Sequence, residues 1–496
     1  MRPLPVMRLL SMAPPMTLPA AYRDQTRALL GPDADAFLAG YDRPPVGGLR
    51  VNPAKISLDE LRRRTGWRLD PVPWCPTGAS VDAAERPGAH PYHAAGLYYL
   101  QEPSAMAVAG AMRVAPAAGH RVLDVAAAPG GKSTHLASLL AGAGLLVANE
   151  IHPARIKALG ENLERWGAPN VVITNADPDR LGGVYDRVLL DAPCSGEGMF
   201  RRDPAAIAEW SPKRVLGSAE RQLRILRSIA PRVAPGGLLL YSTCTFNTEE
   251  NERVIAAFLG EYADWTLEDI PKRHGLSHGL PLDQPDSPVA TQFIAPVAGG
   301  DVGRTSDIVR PDRMARLWPH RLAGEGHTLA LLRAPGDEPE PDPTAAWPPL
   351  DVADPSALAA WRSLVGTTLA TDPTERWGGA LRLVDDRLSL VPAAARDVDL
   401  GQARVVRRGL WLATVKPGRV EPSHALALAL NPDDAANRLD LTVAEAGPYL
   451  AGHPVTAPGA PGWVLVTVDG FPLGWGKRTA STVKNHYPKG LRRLTG

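Results

Sequence analysis

Between His120 and Glu250 the chain alternates short apolar runs with amphipathic stretches. The runs at 121–125, 145–148, 171–174, 187–190 and 238–241 have strand length and little polar interruption. The stretches at 133–140, 153–166 and 218–230 repeat apolar positions at helical spacing. Such alternation predicts a parallel α/β sheet. A last helix is read to open at Asn247, with Glu250 three residues on as the cap partner. Upstream, from about Tyr22 to Pro103, helical pattern gives way to Pro-rich loops, as in a small mixed domain. Pro335, Pro339, Pro341, Pro343, Pro348 and Pro349, interleaved with acids, mark a linker. Beyond it lie a mixed region and a β-rich end from about Val420, including 463–468. The boundaries read this way are 1–17, 18–103, 104–334, 335–349, 350–419 and 420–496, and no internal repeat is found.

Length and composition narrow the classes. The 496 residues are ample for several domains and a large core. Lys plus Arg is 54 against 53 acids, so a uniformly basic nucleic-acid binder is excluded and any such contact is local. Three cysteines exclude a disulfide scaffold and suit a reducing cytosol, hence a cytoplasmic protein. No apolar run is long enough to span a membrane. The segment before Met16, broken by Pro3, Pro5, Pro14 and Pro15, lacks a signal peptide's apolar stretch and reads as a disordered leader; Met16 is a second candidate start.

The two ends of the chain differ in charge. From Gly470 onward there is no acid, while Lys477, Arg478, Lys484, Lys489, Arg492 and Arg493 give +6. Three of the chain's nine lysines lie here. A solvated basic tail is the bland reading. Phe471, Trp475 and Tyr487 among the charges favour RNA binding, as stacking faces, although Trp475 reads equally well as a core residue.

The turn after the first run is Ala126-Ala127-Ala128-Pro129-Gly130-Gly131-Lys132-Ser133. Its end imitates a phosphate loop, and the apolar run ending at Asp191 imitates the strand that holds Mg²⁺ in nucleoside triphosphatases. Ala126 stands where the first glycine is needed, and Pro129 interrupts the loop, so that class is disfavoured. A nucleoside site fits better: small residues allow close approach, and Glu150, 19 residues after Gly131, suits ribose hydroxyls. Asp177, after the third run, suits an adenine amino group. Three acids and no arginine cluster suit S-adenosylmethionine, which carries a sulfonium and no phosphate. For any one acid, a surface or capping role is equally open.

Asp191-Ala192-Pro193-Cys194-Ser195-Gly196-Glu197-Gly198 and Thr243-Cys244-Thr245 place two thiols at two strand ends, where open α/β sheets gather reacting groups. Cys75, in a Pro-rich turn, reads as structural, and no spacing suits zinc. A thiol beside a methyl donor suits methylation at carbon 5 of cytosine. Thiolate addition at carbon 6 makes carbon 5 nucleophilic, and a base then removes its proton so that the thiol can leave. A carboxyl at N3, read as protonated or sharing a proton, would stabilise the adduct. Which thiol attacks is left open by the residues alone.

These motifs resemble the RsmF/YebU-type 16S rRNA cytosine-C5 methyltransferases of the NOL1/NOP2/Sun (NSUN) family. Arg50-Val51-Asn52-Pro53, His90-Pro91-Tyr92-His93, Gln101-Glu102-Pro103-Ser104-Ala105-Met106, the 126–132 loop and both cysteine motifs carry the likeness. It continues into Gly470-Phe471-Pro472-Leu473-Gly474-Trp475-Gly476-Lys477 and Lys484-Asn485-His486-Tyr487-Pro488. The resemblance implies a Rossmann-like S-adenosylmethionine-dependent core over 104–334, a small N-terminal RNA-binding-type domain at 18–103, and a PUA-like RNA-binding region at 420–496. It implies Cys244 as nucleophile, Cys194 as the residue assisting release, and Asp191 at the base. It implies a cofactor site of Ala126, Ala127, Ala128, Pro129, Gly130, Gly131, Lys132, Glu150, Arg155, Asp177 and Asp191. The expected partner is 16S rRNA or the small ribosomal subunit, with no metal, no membrane and a monomeric enzyme. Alternatives are a tRNA cytosine methyltransferase, or a non-catalytic ribosome-assembly factor, for which two such thiols would have no use. Ala126, where the family often has cysteine, is a departure.

Overall fold

A computed structural model of the chain describes residues 17–282, 310–338, 350–351, 354–396 and 398–492. The leader up to residue 16, most of the Pro-rich linker (339–349) and Arg493 lie outside the described residues.

The apolar runs form the middle of a ten-stranded sheet. Its order along the main path is Ser277–His278, Ala315–Leu317, His327–Arg333, Val233–Thr243, Tyr185–Asp191, Arg121–Asp124, Leu145–Asn149, Val171–Asn175 and Arg404–Arg408. The five strands from Val233–Thr243 to Val171–Asn175 run parallel. Their residues are apolar in sequence because both faces are covered. Leu136, Leu140, Leu159 and Leu163 of helices Gly131–Leu140 and Pro153–Trp166 pack on one face. Leu223, Leu226, Val254 and Phe258 of helices Pro212–Ile229 and Glu252–Glu261 pack on the other. Each such leucine, fully buried, contributes on the order of 1.5–3 kcal/mol. His327–Arg333 and Arg404–Arg408 add antiparallel edges.

Two helices differ from the sequence reading. The one read at 218–230 opens earlier, at Pro212, because the Ser211 hydroxyl accepts the Arg214 N–H at 3.2 Å and proline suits the first turn. The one read to open at Asn247 opens at Glu252. Asn247 Oδ1 does accept the Glu250 N–H, but the Glu250 carboxylate turns inward to Ser195 instead of back to Asn247 N–H.

Three smaller sheets complete the fold. The N-terminal one has the order Leu69–Val72, Cys75–Val81, Gly48–Val51, Tyr98–Leu100, all antiparallel. The middle one contains Leu350–Asp351, Gly379–Val384, Arg387–Val391, Leu410–Lys416 and Arg419–Pro422. The boundary read at 419/420 therefore cuts a strand, and the last sheet begins at Arg438–Leu441. Nor is the middle region self-contained: Arg404–Arg408 leaves it to pair with Val171–Asn175. Residues 335–338 of the proposed linker are fastened down, Gly236 N–H donating to Pro335 O and Arg187 pairing with Glu338. The last sheet shares a core with the N-terminal domain, where Tyr92 donates to Asp469 at 2.6 Å.

Candidate active site

The carboxyl ends of the parallel strands converge where the strand order turns, on either side of Arg121–Asp124. Asp191 ends one strand and Ser242, its register partner, nearly ends the next. Ser242 Oγ donates to Asp191 Oδ1, and Lys132 Nζ donates to Oδ2, both at 2.7 Å. Lys132 is thus committed to a carboxylate and not to a phosphate, which removes the triphosphatase reading. Burial pushes the Asp191 carboxyl up, but Lys132, His327 and Ser242 outweigh it and hold it below its usual range. Of the two forms read for Asp191, protonated or sharing a proton, the contact favours the second, with Lys132 as the proton-bearing partner at its side. The same pairing keeps Lys132 an ammonium against burial.

Cys194 Sγ and Cys244 Sγ lie 3.4 Å apart. The hydrogen bond between them, then burial, then the charge of Glu250 push the Cys194 thiol well above its usual range. Cys194 is therefore the thiol that holds its proton the more tightly, and either sulfur can donate across the contact. The loops carrying them are tied by two buried glutamates. Glu250 accepts from Ser195 N, Ser195 Oγ, Gln222 Nε2 and Asn247 Nδ2 at 2.5–2.9 Å. Glu197 accepts from Phe246 N, Asn247 N and Trp210 Nε1. Burial, then Glu197's charge, raises the Glu250 carboxyl to about 7. Cys75 lies apart, buried against Val72 and Met106.

The 126–132 loop is strapped from two sides. Arg155 donates to Ala128 O at 2.6 Å and faces Glu150 at 3.4 Å, and Asn162 donates to Pro129 O at 2.8 Å. From the N-terminal domain, buried Arg50 reaches Gly131 O and Thr134 Oγ1. A Cβ on Gly131 would meet the Tyr99 ring at 3.1 Å, so glycine lets this domain approach closely. Glu150 is buried and accepts from His152 N and Ala128 N. Asp177 is exposed and caps the turn Pro178–Arg180. Asp124 accepts from Ser133 through one oxygen, and its buried Oδ1 has no partner; burial, reinforced by Asp191, lifts this carboxyl to about 7. Small residues with an orphaned acid beneath them fit a nucleoside cofactor that carries an amine or a cation.

The structure brings Asp191, Cys194, Cys244 and Lys132 together and sets Glu150 and Arg155 beside the loop. The basic end is separate. Lys477 and Lys484 are register partners, both exposed, on the last sheet. Lys489 is exposed, while Arg492 donates to Tyr487 O and Arg478 lies half-buried. Of the two readings of Trp475 the core one holds, its indole donating to Ser423 O, and the stacking role read for Tyr487 is corrected, since that ring is buried against Tyr449 and His424. Phe471 packs on Tyr92. Sequence reasoning missed Asp124, Glu197, Glu250 and His327. Buried polar residues at strand ends were the available signal.

Among the described residues no helix is long and apolar enough to cross a membrane, and no cluster of three or more metal-ligating side chains occurs. Family models match in four blocks: the N-terminal domain of 16S rRNA methyltransferase RsmF at 18–103, 16S rRNA methyltransferase RsmB/F at 111–333, the RsmF first C-terminal domain at 368–430 and the RsmF PUA domain at 436–493. Ribosomal RNA small subunit methyltransferase F of Serratia proteamaculans is 32% identical over 96% of this chain and 97% of its own. That of Escherichia coli (strain SMS-3-5 / SECEC) is 34% identical over 92% and 93%. A methyltransferase homolog from Pyrococcus horikoshii is similar at TM-score 0.51 and 28% identity, covering 63% of this chain and 94% of that one. NSun6 from the same organism, at TM-score 0.53 and 21% identity over 65% and 100%, shares the fold.

Proposed function

Because the chain belongs to the RsmF family of ribosomal RNA small subunit methyltransferases, we propose that it forms 5-methylcytosine in 16S rRNA, with S-adenosylmethionine as methyl donor. The observation that carries this reading is the sulfur pair, 3.4 Å apart, beside the Lys132–Asp191 ion pair. Bound S-adenosylmethionine supplies an electrophilic methyl group. Ala126–Lys132, Glu150, Arg155 and Asp177 would hold it, with Asp124 Oδ1 free to accept from its amine.

Cys244 adds to carbon 6 of the target cytosine, and the electrons displaced from the double bond make carbon 5 a nucleophile. Lys132 and Asp191 face the pyrimidine edge, where the Lys132 ammonium offers a proton toward N3 as charge builds there. After transfer, Cys194 gives its thiol proton to the departing Cys244 sulfur. The Cys194 thiolate so formed takes the carbon 5 proton, and the electrons of that C–H bond restore the ring double bond. Residues 18–103 support the cofactor loop, and 104–334 carry the chemistry. Lys477, Lys484 and Lys489, with Arg478, Arg492 and Arg493, hold RNA phosphates. The enzyme acts as a cytoplasmic monomer.

Denaturing gels with labelled 16S rRNA test the assignment. Cys244→Ala forms no protein–RNA adduct and no product, whereas Cys194→Ala accumulates an adduct because release is blocked. An adduct from the first variant and none from the second would reverse the roles.

A further inference from the structure

His327 lies next to the reacting groups through the added antiparallel strand. Thr328 pairs with Thr243, the last residue of its strand, and His327 and Cys244 are the next residues on the two segments. Side chains alternate along a strand, so His327 shares the sheet face of Leu329, whose register partner Ser242 holds Asp191. Lys132 and Asp191 both act on the His327 ring, and Lys132 also feels Cys244.

The hydrogen bonds around the ring fix its tautomer. Ser104 has one hydroxyl hydrogen, which goes to the Glu102 carboxylate at 2.6 and 2.7 Å. Ser104 Oγ accepts from Gly326 N–H at 2.9 Å. Its other lone pair faces His327 Nδ1 at 3.1 Å, with Glu102 Oε1 3.4 Å from the same nitrogen. Nδ1 therefore meets acceptors and must carry the hydrogen, which leaves Nε2 with its lone pair. Among the described residues no group hydrogen-bonds Nε2. A nucleophile, a neighbouring imidazole and a carboxylate on the far ring nitrogen is the arrangement that activates thiols and hydroxyls elsewhere.

We propose that His327 is the catalytic base that takes the Cys244 thiol proton as the sulfur attacks carbon 6, with Glu102 and Ser104 as its positioning residues. The proposal rests on the methyltransferase reading above. In the step, the Cys244 S–H bond breaks and its proton goes to Nε2. The sulfur electron pair forms the S–C6 bond, and Glu102 faces the resulting imidazolium. Cys194 later reprotonates the departing sulfur and recovers its proton from carbon 5. His327 then releases its proton to solvent, the one proton that methylation must discharge. The other candidates are occupied: Asp191 is held by Lys132 and Ser242, and Cys194 keeps its own proton. Glu325 faces Arg201 and Arg202, and Glu250 and Glu197 brace the cysteine loops. Burial, with Lys132, outweighs Glu102 and Asp191 and keeps the imidazole below its ordinary 6.5, so it is neutral at pH 7.

The test uses 16S rRNA transcribed with 5-fluorocytidine, in which carbon 5 carries no removable proton and the adduct persists. With S-adenosylmethionine present, the wild-type rate of adduct formation should rise with pH to a plateau reached below the ordinary imidazole range. His327→Gln should slow it at least tenfold at pH 7, while calorimetry shows unchanged cofactor affinity. Glu102→Gln should slow it less and shift the pH profile. A wild-type rate independent of pH from 5 to 9 would overturn the proposal. So would a His327→Gln variant that attacks at the wild-type rate and stalls only in release from ordinary RNA. Absence of any adduct from the wild-type enzyme would instead defeat the methyltransferase mechanism itself.

Discussion

Replacing Glu250 by glutamine separates charge from shape at the brace behind the two cysteines. The carboxylate accepts from Ser195 N and Gln222 Nε2 through one oxygen, and from Ser195 Oγ and Asn247 Nδ2 through the other. Glutamine keeps the first oxygen. Its amide replaces the second, where the Ser195 hydroxyl can turn to accept but Asn247 Nδ2 meets a donor. One opposed donor pair costs about 1–3 kcal/mol. The charge adds a pH-dependent part. Burial raises the carboxyl from the ordinary 4.5 to about 7 in the folded protein. Below pH 4.5 both folded and unfolded chains hold the proton and the contribution is complete. As pH climbs through 7 the unfolded chain has already ionised, the folded one must charge a buried group, and stability falls. Between pH 5.5 and 8.5 this removes about 2 kcal/mol from the wild type, at roughly 1.4 kcal/mol per pKa unit, and nothing from Glu250→Gln. Urea titrations of both proteins at the two pH values, read by tryptophan fluorescence, measure the gap. The wild type's advantage should shrink by about 2 kcal/mol, or reverse, on going to pH 8.5. An identical gap at both pH values would show that Glu250 is ionised throughout and that its elevation is wrong.

Three further outcomes are expected. Glu150→Ala should weaken S-adenosylmethionine binding by about 1.5–3 kcal/mol in calorimetry, since one charge-assisted bond is lost and Ala128 N–H is freed; unchanged affinity would mean the ribose is held elsewhere. Lys477→Ala with Lys484→Ala should lower the salt slope of RNA binding by about 1.4, if each meets a single-stranded phosphate, and an unaltered slope would make both bystanders. Trp475→Ala should cost about 3–5 kcal/mol in stability, as a buried aromatic of the last sheet; weaker RNA binding with an unchanged melting temperature would restore it as a stacking face.

The parts legible in the sequence share a physical property: their signal is local. Parallel strands such as Leu145–Asn149 are buried on both faces and read as apolar runs, and helix Pro153–Trp166 matched its reading because its apolar period is unbroken. Asp191, Cys194 and Cys244 were found because reactive residues directly follow such strands. His327 follows no parallel strand; it opens an antiparallel one, and only the pairing of that strand with Val233–Thr243 brings it to the end where Cys244 follows. Glu250 gave a local signal that pointed the wrong way. Its spacing from Asn247 is that of a helix cap, but Ser195 and Gln222, distant in sequence, offered its carboxylate more donors than the helix end could. Trp475 gave no periodic signal, since Pro472 to Gly476 are buried without alternation and only Lys477 emerges.

The strand Arg404–Arg408 gives the polypeptide a schedule. It caps Val171–Asn175, yet it leaves the ribosome about 230 residues later. At roughly 5–20 residues per second, the nascent chain carries an uncovered sheet edge for on the order of ten to fifty seconds. An open row of backbone donors and acceptors invites pairing with another chain, so this interval is when the protein is most exposed to aggregation and most in need of a chaperone. A gene shortened to the methyltransferase core would make that interval permanent. Arg404, Arg407 and Arg408 place positive charge along the late strand, so nascent chains that present it repel one another as it arrives.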